Sequence, residues 1–76
     1  MRFHNTKHSS RRVEDRELSL ENIKNVVKYP DEVLGLRRGT HGGIVKKFSK
    51  KVDGLTMIVV AEIYRNDCWI LTSYYA

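Results

Sequence analysis

Apolar residues are concentrated in the last third of the chain. Residues 55–64 form the longest apolar segment, and residues 68–75 form a second one, with Arg65, Asn66 and Asp67 between them. β-Branched and aromatic side chains fit the pleated surface of a sheet, and Asn and Asp tolerate the backbone of a tight turn. The pattern therefore predicts a central antiparallel hairpin with Asn66-Asp67 as its two-residue turn.

This turn predicts how the two strands pair. The expected partners on one face are Ile63 with Ile70, Ala61 with Thr72, and Val59 with Tyr74. Both faces of the hairpin are largely apolar, whereas a sheet with one face in water alternates cleanly between apolar and polar residues. We therefore expect each face to be covered, one of them by a partner, which favours a homo-oligomer.

Two further strands are predicted upstream, at residues 32–38 and 43–52, and the Gly-rich residues 39–43 between them are interpreted as a flexible connection. Asp53-Gly54 is a strong hairpin sequence between the second of these strands and residues 55–64. The partners that it predicts are Phe48 with Val59, Lys46 with Ala61, and Ile44 with Ile63. Lys46, Ala61 and Thr72 would then form one row, which marks either the end of the helix-covered area or a site.

A helix is predicted between Ser19, which is a good N-cap, and Pro30, which ends it. Its apolar residues recur at helical spacing and should pack on the sheet. They are Leu20, Ile23, Val26 and Val27.

An earlier helix is predicted over residues 7–17, where His8, Arg12 and Arg16 recur every four residues on one stripe. The stripe is either a solvated face or a surface that binds an anion. Residues 1–5 are interpreted as a short lead-in, with a brief strand as the alternative. The order ααββββ predicts a single α+β domain over residues 1–76, with two N-terminal helices on one face of a four-stranded antiparallel sheet.

Composition narrows the environment and the class of partner. The chain has 76 residues, a formal net charge of +5 and one cysteine. A lone cysteine excludes an intramolecular disulfide, and no Cys/His cluster has the spacing of a zinc site. No apolar leader and no segment of membrane-spanning length is present, so we expect a cytoplasmic protein. No motif supports a cofactor or a metal, so we expect neither. The positive charge favours an anionic partner, with nucleic acid first.

One stretch of the chain contains basic residues but no acidic ones. Between Glu32 and Asp53 there is no acidic residue. Cations here would supply the salt-dependent part of nucleic-acid binding, or they would protect a sheet edge from aggregation. The candidate phosphate-binding residues are Arg37, Arg38, Lys46, Lys47, Lys50 and Lys51.

The histidines and aromatic residues are candidates of unequal strength. His8 is the best general acid or base, because a helix N-terminus disfavours the imidazolium and leaves a neutral base near pH 7. His4 and His41 lie in a lead-in and in a Gly-rich loop; the alternative for His41 is a loop base, but we assign a role to neither. Trp69 and Tyr64 are interpreted as core or dimer-interface residues, with base stacking as the alternative.

Nearly the whole chain from Lys7 onward resembles a known pattern. His8, Arg12 and Arg16 at intervals of four, a Ser-capped helix, a Pro, and a final strand with Thr72-Ser73-Tyr74 resemble a family of small prokaryotic domains. That family is similar to the BrnT/RelE-like toxin ribonucleases, which cut RNA without metal and often pair with an antitoxin protein.

The resemblance implies roles for individual residues. His8 would act as base or acid, Arg12 and Arg16 (or Lys46) would stabilise charge, and Tyr74 would transfer the second proton. Thr72 would match the family's closing strand. The prediction is a metal-independent ribonuclease that acts on RNA, and the alternative is a non-catalytic module that binds nucleic acid or forms a dimer.

Overall fold

A computed structural model describes residues 1–5 and 20–76, and a five-stranded sheet is its main element. The strands are β1 (Arg2–Asn5), β2 (Glu32–Arg38), β3 (Ile44–Val52), β4 (Leu55–Tyr64) and β5 (Asp67–Tyr75), and the helix α1 is Leu20–Lys28. Their order across the sheet is β1-β5-β4-β3-β2. β1 runs parallel to β5, and the other neighbours are antiparallel.

The prediction of two helices on a four-stranded antiparallel sheet is wrong. The sheet is mixed, because residues 1–5 supply a fifth strand that pairs in parallel with the outer edge of β5. The backbone N–H of Arg2 also donates to the carbonyl of Asn66 at 2.7 Å. So short and polar a segment carries no strand periodicity, and its strand state depends on the free edge of β5. In the described residues α1 is the only helix, and the predicted helix over 7–17 lies outside them.

The helix expected before Pro30 is confirmed. α1 buries Ile23, Val26 and Val27 against the sheet. Burial of an aliphatic side chain of this size contributes about 1.5–3 kcal/mol. The sheet residues of this core are Phe48, Met57, Val59, Ala61, Cys68 and Ile70. These positions define the α1 face of the sheet.

The pairing of β3 with β4 is also confirmed. Phe48 lies opposite Val59, Lys46 opposite Ala61, and Ile44 opposite Ile63. Asp53 and Gly54 both have positive φ, at 50° and 81°. A primed two-residue turn requires this conformation, which Asp tolerates and Gly adopts without cost.

The predicted pairing of β4 with β5 is wrong. The turn is Arg65-Asn66, so Tyr64 pairs with Asp67 and Ala61 pairs with Ile70. A register shift follows at Val60/Ala61, beyond which Val60 pairs with Thr72. The inserted residue, Leu71, turns the end of β5 over relative to the prediction. Thr72 therefore lies away from the α1 face and is not in a row with Lys46.

No helix within residues 1–5 and 20–76 combines the length and the apolar character of a membrane span.

Candidate functional site

One row of side chains crosses all five strands on the face opposite α1. His4 pairs with Trp69, Trp69 with Glu62, Glu62 with Val45, and Val45 with Arg37. Side chains at paired positions project to the same face of a sheet. His4 is thus a neighbour of Trp69, which in turn is a neighbour of Glu62, although His4 is far from both in sequence.

Glu62 is a buried carboxylate with a complete set of donors. Its side chain is 1% exposed. Oε2 accepts the backbone N–H groups of His41 and Gly43, both at 2.8 Å, and Oε1 lies 3.0 Å from Nδ1 of His41. Burial raises the pKa of Glu62. These hydrogen bonds and the nearby imidazole together lower it by a larger amount, so the net shift is downward. The carboxylate is therefore anionic at neutral pH.

The loop over residues 39–43 can surround this carboxylate only because it is rich in glycine. A Cβ on Gly39 would overlap the Glu62 carboxylate, and a Cβ on Gly43 would overlap the backbone carbonyl of Ile63. Gly42 has a φ of 87°. A residue with a side chain would be strained in this conformation. The N–H of Gly39 donates to the carbonyl of Gly43 at 2.9 Å and closes the loop. The segment is therefore a close-fitting cover for Glu62, and its interpretation as a flexible connection is replaced.

His41 forms an acid–base pair with Glu62. Since Glu62 is anionic, the hydrogen-bond network assigns the ring proton to Nδ1, which donates to Oε1. Nε2 is then left with a lone pair, in the tautomer that can accept a proton from a substrate. The side chain of His41 is 40% exposed, so a ligand can reach it.

A second pair of the same kind lies on the neighbouring strands. Nε2 of His4 is 2.9 Å from Oδ1 of Asp67, and Nε of Arg2 is 3.1 Å from the same oxygen. The hydrogen bond from His4 lowers the pKa of Asp67; partial burial opposes this, and the charge of Arg2 adds to it. The His4 side chain is 44% exposed.

Trp69 connects the two pairs. The His41 ring is stacked on the indole with centroids 4.1 Å apart and planes 9° apart. The His4 ring is stacked at 5.3 Å and 20°. β1 and β4 flank β5 on opposite sides. His4 belongs to β1, and His41 is hydrogen-bonded to Glu62 of β4. The indole of Trp69 therefore lies between the two imidazoles, and all three rings are close to parallel. Two exposed imidazoles, each hydrogen-bonded to a carboxylate, are therefore stacked on one indole.

Several predicted site residues lie on the same face as Trp69. Lys47 pairs with Val60, which pairs with Thr72. Tyr74 lies one row further from Trp69, opposite Ile58. Of the predicted catalytic residues, Thr72 and Tyr74 are thus on this face, whereas His8, Arg12 and Arg16 lie outside the described residues.

The predicted phosphate-binding residues are divided between the two faces. Register places Arg37, Lys47 and Lys51 on the Trp69 face, and Arg38, Lys46 and Lys50 on the α1 face. Lys50 donates to the carbonyl of Tyr29 at 2.9 Å and lies 3.8 Å from Asp31. The cations of the basic stretch therefore do not form one surface.

A cleft of about 410 Å³ lies beside Lys47 on the Trp69 face, over β2, β3 and β4. Leu34, Lys47, Ser49, Thr56 and Ile58 line most of it. Its lining combines apolar side chains, two hydroxyls, the Lys47 ammonium and the Glu32 carboxylate. That mixture suits a small ligand with an apolar part and polar groups.

Sequence reasoning missed Glu62, His41 and His4. Glu62 is the only charged residue in 55–64, the most apolar strand of the chain. A buried charge must be paired, so this position should have prompted a search for a donor. His41, in the Gly-rich loop 39–43, was the available candidate.

Within the described residues, no three His, Cys, Asp or Glu side chains group closely enough to hold a metal ion.

Comparisons of the chain with family models, curated proteins and solved structures give no match. The resemblance to the toxin ribonucleases therefore stays a prediction from the sequence.

Proposed function

We propose that this protein cleaves RNA by metal-independent acid–base catalysis, with His41 and His4 as the two proton-transfer groups. The observation that carries the proposal is the stack of both imidazoles on Trp69, each with its own carboxylate partner. Chemistry that moves one proton on and another off a phosphodiester needs two such groups close together.

The reaction is an internal transesterification. His41 removes the proton of a ribose 2′-OH, and the 2′-oxygen attacks the adjacent phosphorus. The bond from phosphorus to the 5′-oxygen breaks, and His4 donates a proton to that oxygen. The products are a 2′,3′-cyclic phosphate and a 5′-hydroxyl.

The carboxylates define what each histidine contributes. Glu62 holds the His41 ring in the tautomer with a free Nε2, and its negative charge stabilises the imidazolium that forms when His41 takes the proton. Asp67 holds the His4 ring in place through its contact with Nε2. Arg2 lies beside Asp67 and supplies positive charge near the leaving group.

RNA binding is assigned to the rest of the Trp69 face. Lys47 contacts the backbone phosphates, and the cleft beside it accepts a nucleotide. Trp69 has an imidazole on each side, so bases do not stack on it directly. An RNA substrate and a free thiol at Cys68 are both compatible with the reducing cytoplasm, which we propose as the location.

The test is a cleavage assay on a short, end-labelled RNA with EDTA present. Wild type is compared with His41→Ala, His4→Ala and His8→Ala, and all four proteins are checked for folding by circular dichroism. We expect cyclic-phosphate products from wild type and a loss of at least about 100-fold in His41→Ala and in His4→Ala. The same oligonucleotide with a 2′-deoxy residue at the cleavage site should be resistant.

The outcomes separate the candidate sites. Full activity in both His41→Ala and His4→Ala, with loss in His8→Ala, would contradict this site and support the one that the sequence predicted. Cleavage of the 2′-deoxy substrate would exclude the mechanism. Salt-dependent RNA binding without cleavage by any of the proteins would leave the non-catalytic binding module.

A further inference from the structure

We infer that β2 is a self-association surface, through which a second copy of this chain pairs antiparallel and extends the sheet. β2 is at one edge of the sheet formed by the described residues, with β3 as its neighbour there. All seven of its residues are exposed. Val33, Leu34 and Leu36 are 49%, 59% and 48% exposed. An edge with unpaired backbone groups and apolar side chains is a template for another strand.

The order of charges along β2 identifies the occupant. The strand begins with Glu32, continues with apolar residues around Gly35, and ends with Arg37 and Arg38. In an antiparallel pair of two such strands, the acidic start of each copy lies beside the basic end of the other. A parallel pair would place like charges together. The strand is thus complementary to itself in one orientation only.

The faces of the sheet select a register. Glu32 pairs with Ser49 and Arg37 pairs with Val45, so both project on the Trp69 face. A two-fold axis perpendicular to the sheet keeps this face common to both copies. Glu32 of one copy then lies opposite Arg37 of the other, and Val33 opposite Leu36, on each side of the axis. The register shift between Gly35 and Arg37 bends this edge, but no charge lies between Glu32 and Arg37 to blunt it.

The other edge of the sheet lacks these properties. β1 has only four residues, and they are polar apart from Phe3. Pairing through β2 also leaves the His41 and His4 rings uncovered, since both stack on Trp69 of β5, which is three strands away from β2. The two Trp69 rings of the dimer would be roughly 34 Å apart across the joined sheet. The inference is independent of the proposed RNA cleavage.

Sedimentation equilibrium over a range of protein concentrations tests the inference. Wild type should be a dimer whose Kd rises about tenfold in Glu32→Arg and in Arg37→Glu, because each change replaces two opposite-charge pairs by repulsive ones. The double variant Glu32→Arg/Arg37→Glu restores both pairs with reversed polarity. Its Kd should return to within about threefold of wild type.

An apolar substitution with a matched control completes the test. Leu34→Lys should give a monomer, whereas Leu55→Lys, at an equally exposed residue in β4 next to the turn to β3, should stay dimeric. Circular dichroism confirms that each variant is folded. A wild-type monomer at all concentrations, a dimer unaffected by Leu34→Lys, or a double variant no tighter than the singles would each overturn the inference.

Discussion

His41 donates two hydrogen bonds to the carboxylate of Glu62, one from its backbone N–H at 2.8 Å and one from Nδ1 of its ring at 3.0 Å. The first contact positions the loop, and the second orients the imidazole. A single buried carboxylate therefore determines both where His41 lies and which nitrogen carries its proton. Stability and chemistry are coupled at this residue.

Glu62→Gln should separate the charge of this residue from its shape. The glutamine oxygen can still accept the two backbone N–H groups, but its NH₂ group then faces Nδ1 of His41. Two donors cannot share that contact, so His41 should change to the tautomer with its proton on Nε2. We expect RNA cleavage to fall at least about 100-fold, as for a general base held in the wrong tautomer.

Nitrogen-15 NMR of the imidazole gives the tautomer directly. The free energy of unfolding should also fall by about 1–3 kcal/mol, because charge-assisted hydrogen bonds are lost. Glu21→Gln, at an exposed acidic residue in the first turn of α1, is the control and should change neither property. An unchanged tautomer together with full cleavage would refute the assigned role of Glu62.

Acid should destabilise the fold through Glu62 and Asp67. Both have a pKa below the ordinary values of 4.5 and 3.8. Protonation therefore favours the unfolded state, so the stabilisation is complete above those values and is lost as the pH falls through the lower pKa values of the folded state. Urea denaturation between pH 7 and pH 3 should show this decline in the free energy of unfolding.

The Glu62 share of the decline can be isolated. In Glu62→Gln the dependence of unfolding free energy on pH below 4.5 should be shallower than in wild type. Equal slopes in the two proteins would mean that Glu62 has the same pKa folded and unfolded.

The parts of the fold that followed from the sequence were set by local chemistry. Asp53-Gly54 needs positive φ at both positions, and this alone aligned β3 with β4. The apolar stripe of α1 likewise required a core behind it. In both elements, residues that are close together in the sequence determine the local structure.

The parts that were wrong depend on distant contacts. Asp67 was assigned to a turn, but it joins β5, where it binds His4 and Arg2 of β1. No local sequence pattern predicts that pairing, because β1 is 62 or more residues away from β5 in the sequence. The bulge at Leu71 then moved Thr72 to the other face. His41 was dismissed for the same reason, since its partner is a strand residue 21 positions later.

Gly39→Ala should disrupt the loop that covers Glu62. The added methyl group would occupy the position of the carboxylate, so either the loop or Glu62 must move. A buried charge that loses its donors is costly, and we expect a loss of about 2–4 kcal/mol in unfolding free energy. Cleavage should fall with it.

Gly35→Ala is the matched control, because a Cβ there meets no atom within 4 Å. Its unfolding free energy should stay within about 0.5 kcal/mol of wild type at protein concentrations low enough to avoid association. Thermal and urea unfolding of the two variants measure the difference. Equal stability of Gly39→Ala and wild type would show that the loop does not fit closely around Glu62.

Lys46 and Lys47 are adjacent in sequence but project to different faces of the sheet. Lys46 pairs with Ala61 on the α1 face, and Lys47 pairs with Val60 on the Trp69 face. If RNA lies along the Trp69 face, Lys47→Gln should weaken binding of a non-cleavable 2′-deoxy oligonucleotide. The slope of log affinity against log salt should also decrease by about one unit, because one phosphate contact is lost. Lys46→Gln removes the same charge from the same strand but from the α1 face, so it should leave the slope unchanged.

Fluorescence of Trp69, the only tryptophan of the chain, provides the binding signal. Equal effects of the two substitutions would show that affinity follows net charge rather than a surface, and an effect of Lys46→Gln alone would move the RNA to the α1 face.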